Sequence, residues 1–456
     1  MAYNFLPCNR DQAYLLPPSL REWLPEDHLA WFVIDAVEQI DLSAAYAPYR
    51  ADGWGAAAFE PKMMTTLLVY AYCLGIRSSR QIERLCLQDV AFRVIAANAR
   101  PDHCTVARFR QQNSHALEGL FTQVLRLCAE AGLVKLGVVA LDGTKIKADA
   151  ALSANRTGDA LGKEVKKMLA EAQETDAKED ALHGTDRRGD ELPKALQNRQ
   201  SRLARLKECR ERLAREAAEK VAEQTRKIQQ RQADEAASGN KKRGRKPKAP
   251  EEAANAQAKA NVTDPDSRIM KTRQGHVQGY NAQAVATAEQ IIVAADITHE
   301  ANDVRQAAGM LAQAQANAAA VGIEDKIGTG LMDAGYWSEN NVEALSQSDA
   351  PAVLIATTKD WKQRKALREN SPPRGRIPKG LGARDRMERK LLTKCGRALY
   401  RLRSQTIEPV FGQIKSVRGC ERFMRRGQDA CRSEWRLICA THNLLKLFRS
   451  GKARWN

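Results

Sequence analysis

The chain has 456 residues, 43% of them apolar and 28% charged, with a formal net charge of +18. That length points to two or three domains, and the apolar content supports packed cores and excludes disorder throughout. Ten cysteines scattered without a Cys-x-x-Cys pair argue against structural zinc and fit a reducing cytosol, while the longest apolar run, 14 residues from Met63, is short of the roughly 20 a membrane span needs.

No signal-peptide pattern opens the chain, so a cytoplasmic, nucleoid-associated protein with no membrane contact is expected. Residues 1–132 read as an all-α N-terminal domain. "PKMMTTLLVYAYCLG" places Pro61 in a first helical turn and stops at Gly75. "SSRQIERLCLQDVAFRVIAAN" follows as a helix with Ser78 or Ser79 at its N-cap. "CTVARFRQQNSHALEGLFTQVLRLCAEAG" reads as one long amphipathic helix ending at Gly132. Short helices joined this way suit either a DNA-binding trihelical unit or a plain bundle.

From Leu136 the period changes. "LGVVALDGTKIKADA" reads as a strand ending at Asp142, with alternation resuming at Thr144. Residues 155–262 interrupt the pattern with an Ala-, Gln-, Lys-, Arg- and Glu-rich insertion. There Leu196 and Leu203, and likewise Leu206 and Leu213, are seven residues apart in an a/d-like pattern that predicts a helical hairpin or short coiled coil. Within it, "KKRGRKPKAP" sets Arg243 and Arg245 around a glycine, like the Arg-Gly-Arg core of an AT-hook. Lys246 separates that core from Pro247. Such arginines suit a narrow minor groove, and a flexible basic linker is the other reading.

Strands return in "HVQGYNAQAVATAEQIIVAADIT", a hairpin around Ala288-Glu289-Gln290. A helix from Asp303 to Gly322, a strand with Asp333 near its carboxyl end, a helix capped by Ser338 and the strand "APAVLIATTKD" follow. The fold class is α/β, a mixed sheet flanked by helices. The last stretch, from Lys359 to Asn456, holds 27 Lys and Arg against 8 Asp and Glu, so nearly all the excess charge lies there. A field of that sign suits phosphate backbones.

Three carboxylates stand out. Asp142 precedes a glycine between alternating runs, which also suits a turn. Asp333 lies at a strand's carboxyl end, where α/β sheets place ligands. Asp149 and Asp296 are rivals in the same style. Glu408 sits among cations in "YRLRSQTIEPVFGQIK", two helical turns before Lys415, with Pro409 threatening a kink or a new start between them. Three such groups at one sheet edge would hold a pair of hard divalent ions for phosphoryl transfer.

"SSRQIE", "PDHCTVARFR", "LDGTKIKA", "MDAGYWSENN" and "YRLRSQTIEPVFGQIKSVRG" together resemble a bacterial insertion-sequence DDE transposase. The branch is the one with a helical N-terminal domain and a tyrosine–arginine–glutamate–lysine signature. The resemblance implies a ribonuclease-H-like catalytic domain over 133–154 and 263–456, with a basic C-terminus and 155–262 inserted. It implies Asp142, Asp333 and Glu408 as catalytic, metal-holding residues, and Mg²⁺ as two ions, with Mn²⁺ as an alternative. Tyr400, Arg403 and Lys415 match the signature residues that contact the transposon end, although four residues separate Arg403 from Glu408 where some relatives have three. The implied reaction cleaves the element ends and transfers the freed 3′-hydroxyl into target DNA without a covalent enzyme intermediate. Expected partners are double-stranded terminal repeats, target DNA and a second copy of the chain in a dimer. An inactive or domesticated DNA-binding copy, or a nuclease on the same fold, is the alternative.

Overall fold

The computed structural model describes chiefly residues 19–49, 58–168, 194–239, 249–253, 258–272, 275–345 and 351–453, apart from isolated positions between 359 and 379. The basic run bearing Arg243 and Arg245 lies outside the described residues.

Among the described residues seven α-helices come first: α1 (Leu29–Glu38), α2 (Ser43–Tyr46), α3 (Pro61–Cys73), α4 (Ser79–Gln88), α5 (Val90–Ile95), α6 (His103–Gln112) and α7 (Ser114–Glu130). In α3, Pro61 takes the first turn and the Glu60 carboxylate accepts the Met63 N–H at 2.6 Å. Apolar residues around nearly its whole circumference make α3 the centre of the unit. Two expected helices are each broken in two. Asp89 adopts an extended conformation and caps Phe92 N–H, which separates α4 from α5. Buried Asn113 turns its side chain back to the Phe109 carbonyl and separates α6 from α7. In both places a short polar side chain competes with the helical ladder.

Eight strands follow among the described residues: β1 (Val138–Lys147), β2 (Asn155–Thr157), β3 (Lys259–Asn261), β4 (Arg268–Thr272), β5 (Gly275–Thr287), β6 (Ile292–Thr298), β7 (Thr329–Met332) and β8 (Ala352–Ile355). The main sheet runs β6-β5-β1-β7-β8, with β4 on the first half of β5. β1 is antiparallel to β5 and parallel to β7, and β7 is parallel to β8. Asp142 and Gly143 form no turn, contrary to one reading of that dipeptide. β5 pairs continuously from Val139 to Lys147, and that ladder carries β1 straight through them.

The last helix, Gln428–Ser450, joins the two halves. It packs on α3, α7 and β6, and one apolar core runs from Ala30 through the sheet to Leu447. Buried Asn443 accepts the Ile292 N–H and donates to the Ile292 carbonyl, both at 2.8 Å, in place of a further strand. Buried Arg77 and Glu434 pair at 3.4 Å across the same junction, and Glu434 also accepts the N–H groups of Met424 and Arg425.

The β2–β3 ribbon closes the base of the insertion, with Asn155 opposite Asn261. Beyond it stand a helix over 158–168 and the 45-residue helix Lys194–Ser238. Leu206, Cys209 and Leu213 of the long helix bury against Leu161, Val165 and Ala260 in a cluster of their own. That part of the leucine seam is therefore covered within the chain.

Candidate active site

Asp142 and Asp333 stand beside one another because β1 and β7 are neighbouring parallel strands. Leu141 is in register with Met332, so the next residue of each is a carboxylate. Asp142 remains in β1 and Asp333 follows β7, where its Oδ1 accepts the Gly335 N–H at 2.7 Å. Asp142 is 18% exposed at its side chain, and burial pushes its carboxyl up to about 7. Asp333 and Asp303 push in the same direction, while Arg403 and the Gly143 N–H oppose them.

Glu408 lies on the helix Lys394–Gly412. The helix neither begins nor ends at Pro409. The proline donates no N–H to the Gln405 carbonyl, which accepts from Gln290 Nε2 at 2.8 Å instead. From Gln413 to Val417 the chain winds as a π-helical turn, so the simple two-turn relation between Glu408 and Lys415 fails. Lys415 Nζ reaches Thr144 Oγ1 at 3.2 Å and the Lys145 carbonyl at 3.3 Å. Glu408 is more open, 58% exposed at its side chain.

Tyr400 and Arg403 complete this attachment. The Tyr400 hydroxyl donates to the Met332 carbonyl at 3.0 Å, one residue before Asp333, and its ring is buried. That geometry gives Tyr400 a partner inside the protein rather than a face toward DNA. Arg403 Nη2 contacts Asp142 Oδ2 at 2.5 Å and Nη1 lies 3.4 Å from Glu408 Oε1. The signature side chains thus tie the glutamate helix to both aspartate strands.

Sequence reasoning missed a polar network behind these residues. Asp303 Oδ1 accepts from Asn281 Nδ2 at 2.6 Å and Gln283 Nε2 at 2.8 Å, and Lys145 Nζ lies 3.5 Å away. Buried Tyr336 donates its hydroxyl to Gln283 Oε1. The available signal was two polar residues, Asn281 and Gln283, alternating with Ala282 and Ala284 in the buried part of β5. The rival aspartates lie in other ion pairs: Asp296 with Arg432 at 2.8 Å and Asp149 with Arg426 at 2.9 Å.

The donor set suits a hard divalent cation, because all the acidic donors are carboxylate oxygens and two adjacent ones repel each other. Among the described residues no three His, Cys, Asp or Glu side chains gather tightly enough to hold an ion as they stand. The Arg403 guanidinium occupies the space between Asp142 and Glu408 and supplies the positive charge there.

Two family profiles match the chain. A transposase domain (DUF772) matches residues 18–112, and a transposase DDE domain matches residues 377–448. The first spans α1–α6 and the second spans Tyr400, Arg403, Glu408 and Lys415. No curated protein matches the chain, and no solved structure does. The matched domains and the ribonuclease-H-like sheet define a DDE transposase, an enzyme of the polynucleotidyl transferase and endonuclease class. More particularly, the chain is an insertion-sequence transposase, and a domain of this kind acts on DNA with a divalent metal. No helix among the described residues is long and apolar enough to cross a membrane.

Proposed function

We propose that Asp142, Asp333 and Glu408 are the catalytic carboxylates that cleave the ends of the element and join its 3′-hydroxyl to target DNA. One observation carries this reading. Asp142 and Asp333 directly follow the paired residues Leu141 and Met332 of two neighbouring parallel strands, and Tyr400, Arg403 and Lys415 pin the Glu408 helix to those strands.

In the cleavage step a water oxygen bonds to phosphorus as the P–O3′ bond breaks, leaving a 3′-hydroxyl and a 5′-phosphate. In transfer that hydroxyl bonds to a target phosphorus and the target's own 3′-oxygen leaves. Asp142, Asp333 and Glu408 would hold two Mg²⁺ ions, which stabilise the attacking and leaving oxygens when bound. Glu408 is on a helix, Asp142 on β1 and Asp333 just after β7, and DNA lying across this end of β7 would meet all three. Arg403 and Lys415 bring positive charge to phosphates beside the carboxylates, and the basic C-terminal stretch extends that charge.

The domain organisation proposed is helical residues 1–132 docking on a catalytic unit of 133–154 and 263–456, with 155–262 inserted. The N-terminal helices hold the transposon end, and two copies pair the two ends of one element. The test is a plasmid assay with a marker flanked by the gene's own borders. Asp333→Asn and Glu408→Gln should give no excised or joined marker while Asp296→Asn gives wild-type counts. Joined products from Asp333→Asn would remove that residue from the triad.

A further inference from the structure

Asp303 borders both aspartate strands although it belongs to neither. It lies in the loop after β6, just before the helical turn Val304–Gln306. A Cβ placed on Gly143 would stand 2.6 Å from Asp303 Oδ1 and 2.9 Å from Asn281 Oδ1. A Cβ on Gly335 would stand 3.2 Å from Asp303 Oδ2 and 2.8 Å from Asp333 Oδ1, so those two oxygens lie within about 6 Å of each other. Gln283 Nε2 lies nearer still to the Gly143 position, so glycine there lets the Asp303, Asn281 and Gln283 side chains close over β1, while glycine at 335 adds no side chain between Asp303 Oδ2 and Asp333 Oδ1.

The carboxylate is held in one orientation. Asn281, Gln283 and Lys145 all direct their donors to Asp303 Oδ1, and Oδ2 is the oxygen beside Gly335 and Asp333. Asn281 adds an independent sign of a cation. It is wholly buried, and its amide nitrogen donates to Asp303 Oδ1 and to the Glu300 carbonyl at 3.1 Å, which fixes the side chain's direction. Its own Oδ1 is left buried with no hydrogen-bond partner, against the Gly143 position. A buried acceptor without a donor is costly unless something positive satisfies it.

We propose that Asp303 is a fourth carboxylate of the metal site, its Oδ2 and Asp333 sharing a divalent cation, with the Asn281 carbonyl oxygen as the neutral acceptor on the Gly143 side. The proposal rests on the reading that Asp142 and Asp333 hold metal and extends it to a residue outside both matched domains.

The experiment titrates full-length protein with Mn²⁺ and follows the free ion by electron paramagnetic resonance. Asp303→Asn keeps an oxygen for Asn281 and Gln283 to donate to but replaces one carboxylate oxygen with nitrogen. Its Mn²⁺ dissociation constant should rise about tenfold or more, as should that of Asp333→Asn, while Asp296→Asn stays at the wild-type value. Wild-type affinity in Asp303→Asn, with Asp333→Asn weakened, would make Asp303 purely structural and overturn the proposal alone. Wild-type affinity in both, and in Asp142→Asn, would overturn the metal reading itself and this proposal with it. Asp303→Cys supplies the second measurement if Asp303→Asn fails to fold. A thiolate favours soft Cd²⁺ over Mn²⁺, so stoichiometric Cd²⁺ should produce a thiolate charge-transfer band beyond that of wild type. A folded Asp303→Cys without that band would equally overturn the proposal.

Discussion

Arg403 faces two carboxylates with one guanidinium, and its worth follows from where those carboxylates sit. Its side chain and that of Asp142 are 14% and 18% exposed, whereas Glu408 is largely solvated and contributes little to holding it. Removing one partner of a poorly solvated pair leaves the other charge uncompensated, at a cost of about 3 kcal/mol. Arg403→Ala should therefore lower the melting temperature of the metal-free protein, and added Mn²⁺ should recover part of that loss by replacing the missing charge. No recovery with Mn²⁺ would mean that the cation and the guanidinium do not answer the same carboxylates. A second consequence concerns the proton on Asp142. Its carboxyl is raised to about 7, so below that pH an arriving cation must displace a proton. Apparent Mn²⁺ affinity should fall about tenfold for each pH unit below 7 and level off above it, which titrations from pH 5.5 to 8.5 would check. A flat profile across that range would remove Asp142 from the ligand set. The strand before Asp333 was legible in the sequence from its apolar run, whereas the strand expected to end at Asp142 continues to Lys147 because β5 pairs along it. Asp303 was not legible, since "HEAND" before a helical stretch looks like an ordinary capping turn and its meaning depends on β5 passing beside it.

Among the elements, the last helix is the one whose sequence gave least warning of its position. "RSEWRLICATHNLLKLF" reads as amphipathic, yet the helix is buried on several sides because it packs on α3, α7 and β6 at once. Tertiary contact of that kind leaves no periodic signature of its own, unlike α3, whose boundary signals at Pro61 and Gly75 are local. The broken helices at Asp89 and Asn113 were missed for the opposite reason. Their apolar spacing continues across the break, and only one side-chain hydrogen bond decides the matter. Asn443 is one polar point of attachment to β6. Asn443→Leu would leave both the Ile292 N–H and its carbonyl buried without partners, and should cost about 2–4 kcal/mol in urea unfolding. A loss below half that range would mean water or a neighbour replaces the amide. One residue earlier, buried His442 bonds the Gln290 carbonyl through Nε2 at 3.0 Å, and burial depresses its pKa to about 3. A depressed value means that His442 stays neutral when folded while the unfolded chain takes up a proton below about 6.5. Its contribution is thus fully present above that pH and is lost as pH falls from there toward 3. Stability of His442→Gln, measured against wild type, should converge on wild type as the pH drops through this window; a constant difference would contradict the assignment.

At the scale of the molecule, charge and topology divide the work. The acidic residues of the site come from the sheet and its connecting loops, while most of the positive excess enters with the final quarter of the chain. On the proposed reading a polyanion is drawn by one part of the sequence toward carboxylates supplied by another, and the helix bearing Glu408 belongs to both. The insertion stands apart from this arrangement. Its composition shift was plain in the sequence, whereas its apolar seam could not be assigned a partner until Leu161 and Val165 were seen to cover Leu206 and Leu213. The long helix spans about 65 Å at a normal rise, yet among the described residues it joins the sheet through the narrow β2–β3 ribbon and a few polar contacts. The ion pair of Arg268 with Glu216 at 2.6 Å is one, and the Cys209 thiol on the Asn261 carbonyl is another. Because Thr157 pairs directly with Lys259 across that ribbon, the intervening residues can be replaced by Asn-Gly, the pair that suits a two-residue hairpin turn. Such a chain should keep one cooperative thermal transition within several degrees of the parent and lose helical circular dichroism in proportion to what was removed. Loss of the cooperative transition would show that the inserted helices are part of the catalytic core's own stability. Retained folding with no excision or joining, in the same marker assay, would instead place the insertion on the DNA-handling side of the enzyme.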